Sequence, residues 1–366
     1  MFASLFCIRY NGGMDAQDAV LIFNPVAGAR NVRRELEQVM AFLRQRGWQV
    51  DLRETRRASD ATLFAREAVI SGKETVLVVG GDGTINEVVN GLAGSEVAVG
   101  LLPAGTGNVW ALEMHLPIPS PIRWHTLLDA TKSLVMGEAR RIDLGRVNNR
   151  YFLLWGGVGL DAQVTRRMEP RTRRTKKLGA VAYAATAFWV AKDFRGTRTR
   201  VIADGQKIST RSMLIIISNA QLYARIARVA SRACLDDGLL DVCVFKGSGL
   251  PMILAHVARI LTERHLKDPR VEYVQARRVT IETRQPMPVQ VDGDPIGTTP
   301  VTFEAVPQAL RIIVPPEVPP WLFAGGGERP LRFQWDFSWP RGQVLRTRAR
   351  RLADRVQSRW RGVDGA

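Results

Sequence analysis

Along the first hundred residues the apolar and polar positions switch repeatedly between two periods. Ala19–Phe23 is a short apolar run closed by Asn24-Pro25-Val26-Ala27-Gly28, the mark of a strand running into a turn. From about Asn31 the spacing changes: Val32, Leu36, Val39 and Leu43 recur along one helical face until Gly47 ends it. Trp48–Leu52 predicts a second strand, Ala61–Ile70 a second helix and the apolar run Thr75–Val79 a third strand. Ile85, Val88, Val89 and Leu92 mark the buried side of a third helix closed by Gly94, and Val97–Leu102 is the next strand. Alternation of this kind builds a parallel sheet covered by helices on both faces.

Beyond about Asp143 the texture changes. Tyr151–Leu154, Arg200–Ala203, Met213–Ile217, Leu240–Phe245, Arg278–Glu282 and Val289–Val291 are short β-rich runs separated by turn residues, with helical patterns only at Leu178–Ala191 and Pro251–Leu261. These predict a mostly antiparallel sheet. Val301–Val314 reads as a further strand pair able to pass back towards the first domain. The expected organisation is an α/β domain over 15–142, a β-rich domain over 143–316 and a separate tail over 317–366. In the tail, Gly325-Gly326-Gly327 breaks the chain. A helix is expected from Gln343, with Leu345, Ala349, Leu352, Val356 and Trp360 on one stripe among arginines. Such a helix suits the plane of a membrane interface, and docking on the protein's own body is the other reading.

Composition narrows the partners. At 366 residues, with 46% hydrophobic and 24% charged residues, the chain has room for two cores. The three cysteines have no C-x-x-C spacing, which fits a reduced cytosolic protein without structural zinc. The four histidines are scattered and suggest no metal site. The net charge of +17 is concentrated at Arg166–Lys177 and Arg346–Arg361. A basic excess favours polyanions, and anionic lipid is expected rather than nucleic acid, because the first block lacks interleaved aromatics for base stacking. The uncharged stretch Leu178–Ala191 stops short of the roughly 18 residues a spanning helix needs, so it reads as a buried helix. Met1–Gly13 lacks a signal-peptide arrangement, and Met14 is an alternative start. The expected location is cytoplasmic, peripheral at the membrane, with a homodimer left open.

The chemistry gathers at Gly80-Gly81-Asp82-Gly83-Thr84, between an apolar strand and a helix. Glycines let the backbone approach a ligand closely, and the amides of the following helix start favour phosphate. Asp82 beside phosphate oxygens makes sense if a Mg2+ ion lies between them or if it accepts a proton. No G-K-[ST] follows, and the G-x-G-x-x-G dinucleotide fingerprint is absent.

At this point the sequence resembles the diacylglycerol kinase catalytic-domain family, which includes bacterial lipid kinases and sphingosine kinases, from about Ala19 to Val314. Asn24-Pro25-x-x-Gly28 is similar to the family's first nucleotide-loop motif, with Ala27 for the usual Ser. Gly80–Thr84 with Asn86 and Glu87 is similar to its phosphate loop, and Pro103-Ala104-Gly105-Thr106-Gly107-Asn108 to its third nucleotide motif. Asp143-Leu144-Gly145 and Gly157-x-Gly159-x-Asp161-Ala162 match the opening of its second domain. Leu235–Val242 matches a loop that holds a structural Mg2+ in some members. Asp292-Gly293-Asp294 resembles its D-G-E motif. Val109-Trp110 stands where many members have Asp-Phe, and side chains occupy glycine positions within Asn219–Ile226.

The resemblance implies an α/β nucleotide domain of NAD kinase and diacylglycerol kinase type plus a mostly antiparallel β domain, with ATP and Mg2+ in the cleft between them. A lipid in an anionic membrane surface would be phosphorylated on a hydroxyl: diacylglycerol, a sphingoid base or a relative. Nucleotide contacts are expected from Asn24, Pro25, Gly28, Gly80, Gly81, Asp82, Gly83, Thr84, Glu87, Gly105, Thr106 and Asn108. Asp292 is expected as general base, with Asp294 binding metal or orienting it. Asp82 would bind phosphate through Mg2+ or act as the base itself. In the second Mg2+ site Asp237 would give a carboxylate, Cys234 and Leu239 their carbonyls, and Asp143 a place in the water shell. The alternatives are an enzyme of NAD kinase type, which also uses a G-G-D-G-T loop, and a non-catalytic membrane-associated regulator that keeps the fold.

Overall fold

The computed structural model describes residues 17–28, 31–120, 125–168, 186–187, 189–225 and 227–327. The expected tail helix from Gln343, most of the basic block Arg166–Lys177 and most of Leu178–Ala191 lie outside the described residues.

The first domain follows the predicted alternation. It runs β1 (Asp18–Phe23), α1 (Arg33–Gln45), β2 (Gln49–Glu54), α2 (Asp60–Ile70), β3 (Thr75–Gly80), α3 (Asp82–Leu92) and β4 (Ala98–Pro103). Two helices follow that the sequence pattern did not predict, α4 (Val109–Glu113) and α5 (Leu127–Val135). The strands stand in the order β2-β1-β3-β4, all parallel. The central strands β3 and β4 are buried along their whole length and β2 is an exposed edge, which is why the first two read as continuous apolar runs. Helix α1 packs with α5, and α2 packs with α3.

The second domain continues with β5 (Glu138–Val147), β6 (Arg150–Phe152), β7 (Trp155–Gly159) and α6 (Leu160–Arg167). Next come β8 (Thr197–Ala203), β9 (Gln206–Ser218), β10 (Leu222–Tyr223), β11 (Ala227–Arg228) and β12 (Leu240–Lys246). After α7 (Leu250–Leu261) the chain ends in β13 (Val271–Ala276), β14 (Arg278–Thr283), β15 (Pro288–Val291), β16 (Asp294–Thr298) and β17 (Val301–Val314). Its pairings are antiparallel, as expected. A core of its own forms around Phe152 and Phe303, whose rings meet edge to face at 6.0 Å. A Cβ on Gly145 would lie inside the Phe152 ring, which is why Asp143-Leu144 is followed by glycine.

Three expectations are corrected. Val301–Val314 is one strand, not a pair. Its first half pairs with β14 and its end runs parallel to β4, so one continuous sheet joins the domains. At Pro307-Gln308 the strand carries a bulge, with Gln308 at φ 50° and its N–H donating to Asp143 Oδ1 at 2.7 Å. Tyr151–Leu154 is not one strand either, because Leu153 and Leu154 leave the ladder to turn their N–H groups onto Asp292. The helix α6, absent from the predicted elements, follows directly on β7 with Gly159 at φ 97°. No helix among the described residues is long and apolar enough to cross a membrane.

Candidate functional site

Three loops meet at the carboxyl ends of β1, β3 and β4, the edge where open α/β sheets bind ligands. The β3 end anchors the other two. Asn24 N–H donates to Val79 O (3.0 Å), and Ala104 N–H and Gly105 N–H donate to Gly80 O (2.8 and 3.2 Å). The Asn24 side chain closes its own loop, accepting from Val26 N–H (3.1 Å) and donating to Thr84 Oγ1 (2.9 Å). Pro25 lies in the turn between. Gly28 adopts φ 70° and presses on Ala104, where a side chain has no room. Gly81 and Gly105 cross so closely that a Cβ on Gly105 would sit 2.5 Å from Gly81 Cα. Gly83 differs: a Cβ there meets nothing within 4 Å. Its open face on the first turn of α3 leaves the amides accessible to an anion.

Asp82 opens α3 and caps α4. Its Oδ1 accepts from Trp110 N–H at 3.2 Å, and the amides of Val109 and Asn108 also favour its charge. Burial outweighs them and raises its pKa above the usual carboxylate range. Asn108, at φ 52°, donates to Gly105 O (2.9 Å), while its buried Oδ1 has no partner among the described residues. Glu87 is placed differently: its carbonyl accepts from Thr62 Oγ1 of α2 at 2.8 Å, a contact between the two helices.

One face of α3 faces the second domain. Asp82, Asn86 and Asn90 are spaced four apart, each pair about 6 Å apart along the axis. Asn86 Nδ2 donates to Asp292 Oδ2 at 2.5 Å, and Asn90 exchanges hydrogen bonds with the Tyr151 backbone (3.0 and 2.9 Å). Asp292 sits in the β15–β16 turn at φ 47°. Leu153 N–H reaches its Oδ2 (2.7 Å), and Leu154 and Trp155 N–H reach Oδ1 (2.9 and 3.0 Å). Burial pushes its pKa up to about 6 against these four donors. Asp294 does not orient it. That carboxylate pairs with Arg150 on β6, and Asn86 holds the orienting place instead.

Two more contacts join the domains beside the cradle. Glu113, buried at the end of α4, accepts from Gln221 and Leu222 N–H (2.9 and 3.1 Å). Arg225 donates to Thr106 O at 2.6 Å. Neither residue, nor Asn90 and Arg150, was singled out in the sequence. The 82-86-90 polar stripe opposite Ile85, Val88, Val89 and Leu92 was readable there.

Asp143 and the Cys234–Asp241 loop form a second acidic site. Asp143 Oδ2 accepts from Gly238 N–H (2.5 Å), and Asp237 Oδ1 accepts from Leu239 N–H (3.0 Å). Burial raises the pKa of both; the charge of Asp236 raises Asp143 further, and those of Asp143 and Asp236 raise Asp237. Neighbouring Asp241 is fully buried and pushed to about 8, with Oδ2 unpartnered among the described residues. The Cys234 thiol is pushed to about 11, so only its carbonyl suits a hard cation. No cluster of three metal-ligating side chains occurs among the described residues.

Comparison with known proteins follows the same division. Residues 18–147 match the diacylglycerol kinase catalytic domain, and residues 157–314 match the YegS C-terminal NAD kinase beta sandwich-like domain. The chain belongs to the diacylglycerol kinase catalytic-domain family. The relatives it matches are diacylglycerol kinases, that is, lipid kinases. A diacylglycerol kinase of Bacillus subtilis (strain 168) is 29% identical over 301 residues, covering 82% of this chain and 97% of that protein. One of Staphylococcus carnosus (strain TM300) is 28% identical over 303 residues, covering 82% and 96%. A crystal structure of a diacylglycerol kinase from Bacillus anthracis str. Sterne superimposes with TM-score 0.68 at 24% identity, over 82% of this chain and 98% of that one. A second structure from that strain gives 0.72 at 24%, over 85% and 99%. Both agree with an α/β domain followed by a mostly antiparallel β domain.

Proposed function

We propose that this lipid kinase transfers the γ-phosphate of ATP to a hydroxyl of diacylglycerol, a sphingoid base or a related long-chain lipid at an anionic membrane surface. The observation that carries the reading is the course of α3: its first turn lies in the amide cradle, and its second grips the second domain's half-buried carboxylate, Asp292. Phosphoryl transfer needs this combination of an anion-binding bend, a cation and a proton acceptor within one cleft. The oxygen of the lipid hydroxyl bonds to the γ-phosphorus as the bond to the β–γ bridging oxygen breaks. The proton passes to a carboxylate, and ADP leaves.

The Mg2+ donors at the cradle would be Asp82 with the phosphates, and the ion would neutralise charge on the transferring group. At the second site the donors would be Asp237 and the carbonyls of Cys234 and Leu239, beside Asp143. The mutual repulsion of the acids there and the orphaned Asp241 oxygen fit a cation. Membrane contact is supported by the charge of +17 and the arginine-rich Gln343–Ala366 stretch.

Asp292 is the reading's general base, with a pKa of about 6 suited to a neutral cytosol. A second reading gives that role to Asp82, because four donors already occupy the oxygens of Asp292. The purified chain, given ATP labelled at the γ-position with a lipid extract or with NAD, is expected to label lipid in a Mg2+-dependent way. Label on NAD, or on neither, would overturn the proposal.

A further inference from the structure

The three loops of the cradle, Asn24–Gly28, Gly80–Thr84 and Pro103–Asn108, contain no lysine or arginine. Loops that bind triphosphates through amides ordinarily work with a cationic side chain, and here it has to come from elsewhere. The second domain holds one in an unusual posture. Ala224 and Arg225 are consecutive non-glycine residues in the left-handed region, at φ 49° and 72°. Side chains disfavour that region, because Cβ crowds the next carbonyl.

The turn between β10 and β11 is nevertheless fixed against the cradle. Glu113 holds its start through Gln221 and Leu222, and Arg225 Nη1 spans 119 residues of sequence to the carbonyl of Thr106, 2.6 Å away. Thr106 lies in the third loop, and the charge of Arg225 is felt at Asp82, favouring its ionised form. Arg225 is exposed, so this guanidinium stands over the cradle with five donors and, among the described residues, one neutral acceptor.

We propose that Arg225 is a phosphate-binding residue of the transfer site, exchanging the Thr106 carbonyl for the terminal phosphoryl group of the bound triphosphate. The inference rests on the lipid-kinase reading above. A charged acceptor forms a shorter and stronger bond than a neutral carbonyl, and the planar fork matches phosphate geometry. Arg225 neither gives nor takes a proton. It holds charge that spreads over the phosphoryl oxygens as the bond to the bridging oxygen breaks. Because the residue comes from the second domain, the phosphate would also pin the two sides of the cleft together.

The test compares wild type with Arg225→Gly, Arg225→Ala and Arg225→Lys in the full chain. Three readouts are taken: kcat for labelled ATP with lipid-extract vesicles, the ratio of Mg·ATP to Mg·ADP affinity by calorimetry, and Tm. Arg225→Gly is expected to lose about 100- to 1,000-fold in kcat. Its preference for ATP over ADP should fall, while Tm stays level or rises by about 1–3 °C because glycine suits φ 72°. Arg225→Lys should recover part of the rate. Wild-type kcat and nucleotide preference in Arg225→Gly and Arg225→Ala would overturn the proposal. If wild type labels no lipid, the lipid-kinase reading itself fails, and the nucleotide preference of the variants still decides the role of Arg225.

Discussion

The wall built by the three glycine-rich loops and the wall facing it are assembled over very different sequence distances. Each loop of the first wall follows at once on an apolar strand, and its glycines are needed for contacts among these loops, such as that between Gly81 and Gly105. The facing wall depends on pairs far apart in the chain: Asn86 with Asp292 across 206 residues, Leu153 with Asp292 across 139, and Glu113 with Gln221 across 108. The first wall is a property of short segments. The second exists only once the sheet has closed through β17. Rigid amides therefore come from local sequence, while the charged groups that act on them are placed by the tertiary fold.

Substitutions break the two walls unequally. Asp82→Asn is expected to have the largest effect, a loss of about a thousandfold in kcat with the circular dichroism unchanged, since it removes a charge at the phosphates. Asp292→Asn should lower kcat about 100-fold and also lower Tm, because an amide cannot accept from all four donors that now meet the carboxylate. With Asp292 as base, activity requires its ionised form. The rate should then fall about tenfold per pH unit below a limb near pH 6 and level off above it. If Asp82 is the base, Asp292→Asn still shows an acid limb, set by the raised pKa of Asp82.

Asn86→Ala separates positioning from chemistry. It removes a donor that favours the Asp292 carboxylate, so the acid limb should move to higher pH while kcat at its plateau falls only about tenfold. An unshifted limb would show that α3 does not tune Asp292. The smallest effect belongs to the second acidic site. Asp237→Asn should lower Tm by a few degrees and leave the affinity for Mg·ATP nearly unchanged, read by calorimetry.

The same contrast explains what could be read in advance. The strands and helices of the first domain were legible because their burial pattern is regular, as in the fully buried β3 and β4. The three glycine-rich loops were legible because glycine needs at tight crossings leave a mark in sequence. Helix α4 was not, since it is short and its start is capped from outside by Asp82. The break in Tyr151–Leu154 was hidden because a carboxylate 138 residues away draws Leu154 N–H out of the ladder. Arg225 was hidden for a similar reason: nothing near it in sequence announces a partner at Thr106.

The most direct measurement is a crystal structure of the full chain with Mg2+ and a non-hydrolysable ATP analogue. The account predicts the triphosphate against the amides of Gly81–Thr84, with its terminal phosphoryl group turned towards Asp82 and the Asn86–Asp292 pair. Nucleotide bound elsewhere with these loops bare, or a terminal phosphoryl group turned away from the second domain, would contradict it.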